Sequence, residues 1–183
     1  MPDSRRIPPD TLVAIGPDGT IGTEHGTRVW PFTQSRRRPR RATSPALLDP
    51  VNLLIVGCDP DRVTDALATR GWRRPDDGAV HVIWSGGRRL LMSDHTALGN
   101  RAERVHVRLF AVAGHTVAAA HHEVADARGH HVVTSWDRAR AAVANALVAL
   151  GYVQLPSSAE LLPIDLRGVD GDGHIWRIRP PRD

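Results

Sequence analysis

Apolar positions fall into short blocks along this chain, and their spacing changes from block to block. Val51 to Val56 is a short apolar run bounded by Pro50 and Gly57, the pattern of a buried strand. Asp59-Pro60 then offers a helix N-cap and a proline at the first helical position, where its missing N–H costs nothing. Val63, Ala66 and Leu67 follow at helical spacing, and Gly71 before Trp72 ends the helix. Asp76-Asp77-Gly78 is a turn, and Val80 to Trp84 and Arg89 to Met92 read as strands around Gly86-Gly87.

The next block alternates. Val105, Val107 and Leu109 point to one side of a strand, and His106, Arg108 and Phe110 to the other. Val117 to Val124 is a second strand, with Gly114-His115 suited to a tight hairpin. A two-residue loop there pairs Ala113 with Thr116 and sets His106 opposite Glu123 and Arg108 opposite His121. A three-residue loop sets His106 opposite His122 and flips the face. The sequence leaves both open.

Thr134 or Ser135 is expected to cap a helix running to about Leu150. Trp136, Val143, Leu147 and Leu150 form its apolar face, and Gly151 stops it. Beyond Pro156, Leu161 to Leu166 and His174 to Ile178 form a last pair of strands around the turn that starts at Asp170. At the other end, Thr11 to Ile15, a turn at Pro17-Asp18-Gly19 and Thr20 to Gly22 make one small hairpin. Thr33 to Pro45 has nothing to bury and reads as a linker. The sum is an α+β fold, a mostly antiparallel sheet packed with two main helices and small terminal hairpins. Residues 1–48 are expected as an N-terminal hairpin and Arg/Pro-rich linker, and residues 49–183 as one domain.

Composition narrows the class. The chain has 183 residues, 41% hydrophobic and 24% charged, ordinary for a globular domain. No apolar run approaches the ~18 residues of a membrane span. No secretory h-region follows Met1, so a cytoplasmic protein is expected. A single cysteine, Cys58, rules out an internal disulfide and a thiolate-rich metal site. The sequence pI of about 10.7 overstates basicity. All 24 basic residues are arginine, which titrates far above lysine, and the net charge is only +4. Much of that charge lies in Arg36, Arg37, Arg38, Arg40 and Arg41. This run is a solvated tail, or else an arm for an anionic ligand or acidic surface.

Candidate chemistry gathers between Glu103 and Arg140. His106, His122, Glu123, His131 and Asp137 form a set that can hold zinc or a similar divalent ion if strand, loop and helix start converge. Water on such an ion is acidified towards ~7 and can hydrolyse a phosphoester or amide. Two features oppose this. His122-Glu123 lacks the second helical histidine of the zincin pattern, and adjacent strand residues face opposite sides unless a bulge intervenes. The plainer reading is a hydrogen-bonded polar cluster, with Asp137 at its helix N-terminus. Arg108 and Arg140 are candidate anion forks, or partners of Glu103, Glu123 and Asp137. Cys58 and Ser85 lack the surroundings of nucleophiles. The five tryptophans read as core anchors rather than a stacking platform.

The order of these motifs resembles the LssY-type C-terminal domain, a bacterial family often found behind membrane-embedded phosphatase-like segments and without an assigned activity. The resemblance covers about residues 49–152. It rests on Asp49-Pro-Val-Asn-Leu-Leu-Ile-Val-Gly, a helix ending in Gly71-Trp72, His106-Val-Arg-Leu-Phe, Ala118-Ala-Ala-His-His-Glu, His131, and Asp137-Arg-Ala-Arg. The chain departs from the family where Glu123 stands for an aspartate, Val133-Thr-Ser-Trp for an acidic stretch, and Ala139 for a glutamate. The last two departures remove carboxylates that can serve as metal ligands or bases. The resemblance implies a ligand-binding or interaction module. The alternative is a metal-dependent hydrolase acting on a phosphorylated or anionic substrate.

Overall fold

A computed structural model describes residues 13–22, 26–29, 32–35, 47–75, 81–85, 88–156 and 171–182. Its central layer is a seven-stranded sheet in the order β12-β13-β5-β10-β9-β8, with β11 on the far part of β10. These strands are β5 (Leu53–Ile55), β8 (Asp94–Gly99), β9 (Glu103–Val112), β10 (His115–Ala125), β11 (His131–Ser135), β12 (Val153–Leu155) and β13 (Trp176–Arg179). All pairs are antiparallel except β13 with β5. A second sheet joins β1 (Val13–Ile15), β2 (Thr27–Val29), β6 (His81–Ser85), β3 (Phe32–Ser35) and β4 (Leu47–Pro50), with β7 (Arg88–Leu91) also on β6. Helices α1 (Pro60–Ala68) and α2 (Asp137–Val148) complete the expected α+β fold.

The central sheet is covered on both sides, and the strand patterns show why. Leu53 and Ile55 of β5 join Val63, Leu67, Val107, Leu109, Val143 and Leu147 beneath the helices. Leu54 and Val56 join Phe110, Val117, Val29 and Ile83 on the other side. A strand buried on both faces has no polar face to show, hence the unbroken apolar run at 53–56. In β9 Val105, Val107 and Leu109 pack under the helices, whereas Phe110 and Val112 lie on the side of the second sheet. His106 and Arg108 share the Phe110 side by strand alternation.

The N-terminal stretch set apart in the sequence contributes to this layering. The small hairpin closes through an Ile15–Ile21 bridge, and Ile15, Ile21 and Val29 are buried in the core between the sheets. The first three residues of the expected linker, from Thr33 to Ser35, lie in β3. The Arg36–Arg41 run, the Asp76–Gly78 turn and the Leu161–Leu166 strand lie outside the described residues.

Local signals explain the helix ends. The Asp59 carboxylate accepts from the Arg62 N–H at 2.8 Å, with Pro60 opening α1. Helix α2 starts later than expected: Trp136 occupies the N-cap position with helical dihedrals, so neither Thr134 nor Ser135 is the cap residue. Ser135 Oγ still accepts from the Arg138 N–H at 3.0 Å, so one first-turn donor is satisfied from one residue further out.

The β9–β10 turn differs from both loops weighed in the sequence. Val112 pairs with His115, so Ala113-Gly114 forms the two-residue loop. Both have positive φ, 48° and 81°, the requirement of a type I′ hairpin turn. His115 is drawn into the strand by two bonds: its Nδ1 accepts from the Gly57 N–H at 2.9 Å, and its Nε2 lies 3.2 Å from the Gly16 carbonyl. The register therefore sets His106 opposite His121, Arg104 opposite Glu123 and Arg108 opposite Ala119. This is a shift of two residues from the two-residue expectation, so the face assignment of that option is retained.

A buried polar cluster between the two sheets

That register places Arg104, His106 and Arg108 of β9 beside His121 and Glu123 of β10, on the face turned towards the second sheet. Strand β8 adds His95, directly opposite Arg108. From the second sheet, Asp49 at the end of β4 reaches across to Arg108 and His121. His121, His106 and Glu123 are 1%, 2% and 6% exposed.

The side chains form a chain of contacts. Asp49 accepts a short bond from Arg108 Nη1, which also lies 3.3 Å from His121 Nδ1. Asp49 Oδ2 is 3.3 Å from that same Nδ1. His121 Nε2 lies 3.1 Å from Glu123 Oε2, and the other oxygen of Glu123 is gripped by Arg104 Nε. His131 Nδ1 lies 3.5 Å from Glu123 Oε1 at the half-buried margin. The His106 ring sits between those of His121 and His95, with centres 5.1 and 5.3 Å away. His106 Nε2 is buried and has no hydrogen-bond partner among the described residues.

Electrostatics follow from burial. Desolvation is the main force on His106, joined by the neighbouring His121, and pushes its pKa down to about 3. The same desolvation lowers His121 despite the opposing pull of Glu123. For Glu123, burial acts to raise the pKa, but the bonds and charges of His121 and Arg104 prevail and hold it at about 2. Burial lowers Arg108 to about 10, leaving it charged at neutral pH. At pH 7 two carboxylates face two guanidiniums across neutral imidazoles, so the cluster is close to charge balance.

Of the residues singled out in the sequence, His106 and Glu123 meet here and His131 touches the edge. His122 and Asp137 go elsewhere. A bulge does interrupt the β10–β11 ladder between His122 and Glu123, yet the two side chains still diverge. His122 faces the α2 side, with Nδ1 2.6 Å from Thr134 Oγ1 and Nε2 2.8 Å from Glu103. Arg138 of α2 binds the same Glu103 oxygen at 2.9 Å. Asp137 accepts from Arg140 at 2.9 Å and from the Asp172 N–H at 3.2 Å.

The two candidate anion forks are engaged within the chain. Arg108 binds Asp49. Arg140 holds both oxygens of Asp172 at 2.6 and 2.7 Å, donates to the His174 carbonyl at 2.6 Å, and stacks 4.4 Å from the Trp176 ring centre. It fastens the strand-leading segment 172–176 to α2. Cys58 is buried, and desolvation raises its thiol pKa, the opposite of an activated nucleophile.

Sequence reasoning did not single out Asp49 or Arg104 as members of one site, and it placed His122 ahead of His121 in the candidate set. His121 was legible only through the hairpin register: a two-residue loop puts it on the face of His106, and a three-residue loop puts His122 there instead. Asp49 lies too far along the chain from the histidines for any spacing rule to reach. No family model, curated protein or solved structure matches this chain.

Proposed function

We propose that this chain is a non-catalytic ligand-binding or interaction domain of the LssY C-terminal kind, not a hydrolase. The supporting observation is the enclosure of the histidine–carboxylate group gathered among the described residues. Its residues are at most 6% exposed, and Glu123 and His121 are already bonded to neighbours. A hydrolytic centre needs an open coordination position that both water and substrate can enter. A group closed between two sheets suits holding and shaping better than turnover.

The partner is read as anionic, on the strength of the Arg36, Arg37, Arg38, Arg40 and Arg41 run. Because β1 to β3 belong to the second sheet, the arm is best tested by substitution in the full chain, not by deletion. Replacing those five arginines with glutamine should abolish salt-sensitive binding to phosphatidylglycerol vesicles, since each lost cation removes counterion release. Binding unchanged by the replacement would refute the arm. Separately, phosphomonoesters and phosphodiesters incubated with the protein and Zn²⁺, Mn²⁺ or Mg²⁺ should not be hydrolysed. Turnover that disappears in His106→Leu or His121→Gln would overturn the non-catalytic reading.

A further inference from the structure

We propose that His106, His121 and Glu123 bind one divalent cation of the zinc class between the two sheets. One ligand atom from each of the three lies within 4.8 Å of the others, and all three residues are buried. Two imidazoles and a carboxylate are a donor set for borderline ions such as Zn²⁺ or Co²⁺, not for Ca²⁺ or Mg²⁺, which prefer oxygen ligands and bound water.

Three details point beyond a packing accident. The first is His106, whose Nε2 is sealed from solvent without a hydrogen-bond partner among the described residues. Buried polar atoms are rarely left so, and a lone pair on neutral imidazole is a metal ligand. The second is the 3.1 Å between His121 Nε2 and Glu123 Oε2. That is close to the edge of a tetrahedron with ligands at about 2.0–2.1 Å, roughly 3.3 Å.

The third is support from behind each ligand. With the proton on Nδ1, His121 donates to Asp49 at 3.3 Å and turns the lone pair of Nε2 towards Glu123. This is the carboxylate–histidine relay that orients metal-bound imidazoles. Arg104 meanwhile holds Glu123 Oε1, leaving Oε2 for the ion. The alternative tautomer, with Nε2 donating to Glu123, satisfies His121 without an ion but leaves His106 Nε2 as it was. Water or His95, whose ring centre is 5.3 Å from that of His106, completes four-coordination. Covered by the second sheet, the ion is structural: it ties β9 to β10 beneath Asp49. This assignment does not depend on the anionic partner proposed above.

The test uses the untagged full chain, stripped with a chelator and titrated with Co²⁺, then back-titrated with Zn²⁺. One equivalent of Co²⁺ should give the visible bands of a four-coordinate ion, displaced by Zn²⁺, and Zn²⁺ should raise the melting temperature. His106→Leu should abolish the signal. Glu123→Gln, which keeps hydrogen-bonding atoms for Arg104 and His121, serves if the leucine variant does not fold, and should abolish it too. Asp49→Asn should weaken binding about 10- to 100-fold, the usual effect of an outer-shell carboxylate. His130→Ala, at an exposed histidine, should change nothing. Absence of binding by the parent chain would overturn the assignment, as would binding of undiminished strength and spectrum in a folded His106→Leu or Glu123→Gln protein.

Discussion

His121 stands directly across the β9–β10 ladder from His106, with ring centres 5.1 Å apart and planes inclined by 69°. Two buried imidazoles in this relation cannot both carry a proton cheaply, because each positive ring would meet the other in a medium that solvates neither. The fold therefore depends on their remaining neutral.

Acid should unfold the protein earlier than its carboxylates alone would require. His106 has a folded pKa of about 3 against 6.5 for an ordinary histidine, so the unfolded chain takes up protons first. Its contribution is complete above about pH 6.5 and is lost as pH falls towards 3. Glu123, held at about 2 against 4.5, adds stability above 4.5 that is lost between 4.5 and 2. Both slopes have the same sign. Unfolding free energies from urea titrations between pH 8 and 4 on chelated protein should fall from about pH 6.5 downwards, by a few kcal/mol in total. A flat profile between pH 7 and 5 would contradict the buried-neutral assignment, and His106→Leu should flatten the upper part of the slope.

Asp49→Ala should destabilise the protein by about 3–5 kcal/mol, because it strands the buried Arg108 charge without a partner. The double change Asp49→Ala with Arg108→Met removes both charges and should recover much of that loss. Chemical denaturation of the four proteins of the cycle gives the coupling directly. Additive single effects would mean that the pair is not coupled.

Arg140→Lys should behave as a disruptive change despite keeping the charge. The planar fork spans both oxygens of Asp172 while lying over Trp176, and a point-like ammonium cannot do both at once. The near-ultraviolet dichroism of the tryptophans should change, with a stability loss of about 1–3 kcal/mol. Asp172 is held below the ordinary carboxylate range chiefly by its bond to Arg140, so its pKa should rise in the variant.

Ala113→Gly should stabilise the hairpin by about 0.4–1 kcal/mol, since alanine sits at φ 48° where L side chains are disfavoured. Ala113→Val should destabilise it, a β-branched residue being strained there. Thermal melts of the two variants should move in opposite directions.

The architecture was readable where burial writes itself into periodicity. The helical spacing of Val63 and Leu67, and the alternation of Val105, Val107 and Leu109 with His106 and Arg108, correctly divided the faces. The second sheet was harder, because β1 to β4 are only three or four residues long and offer too few positions for a period. The candidate site was half readable. Gly114 suggested the turn, but glycine fits either central position, and His115, with its bonds to Gly57 and Gly16, decided the matter from outside the hairpin. The two-residue length of the loop, whichever residues form it, puts His121 rather than His122 on the face of His106. Asp137 was misplaced for a different reason: its fate depends on Arg140 and Asp172, which are joined only after the C-terminal strand docks.

Asn52 has a wider reach than its single amide suggests. It sits in the two-residue crossing between β4 and β5, where its side chain bonds both the N–H and the carbonyl of Ala120, at 2.9 and 2.8 Å. It thereby acts as a peptide group for β10 at the place where the chain leaves one sheet for the other. Asp49 hangs from the same crossing, three residues upstream. The carboxylate over the histidines is thus positioned by a crossing pinned at Ala120, and trimming a neutral amide should loosen the hold of Asp49 on Arg108 and His121.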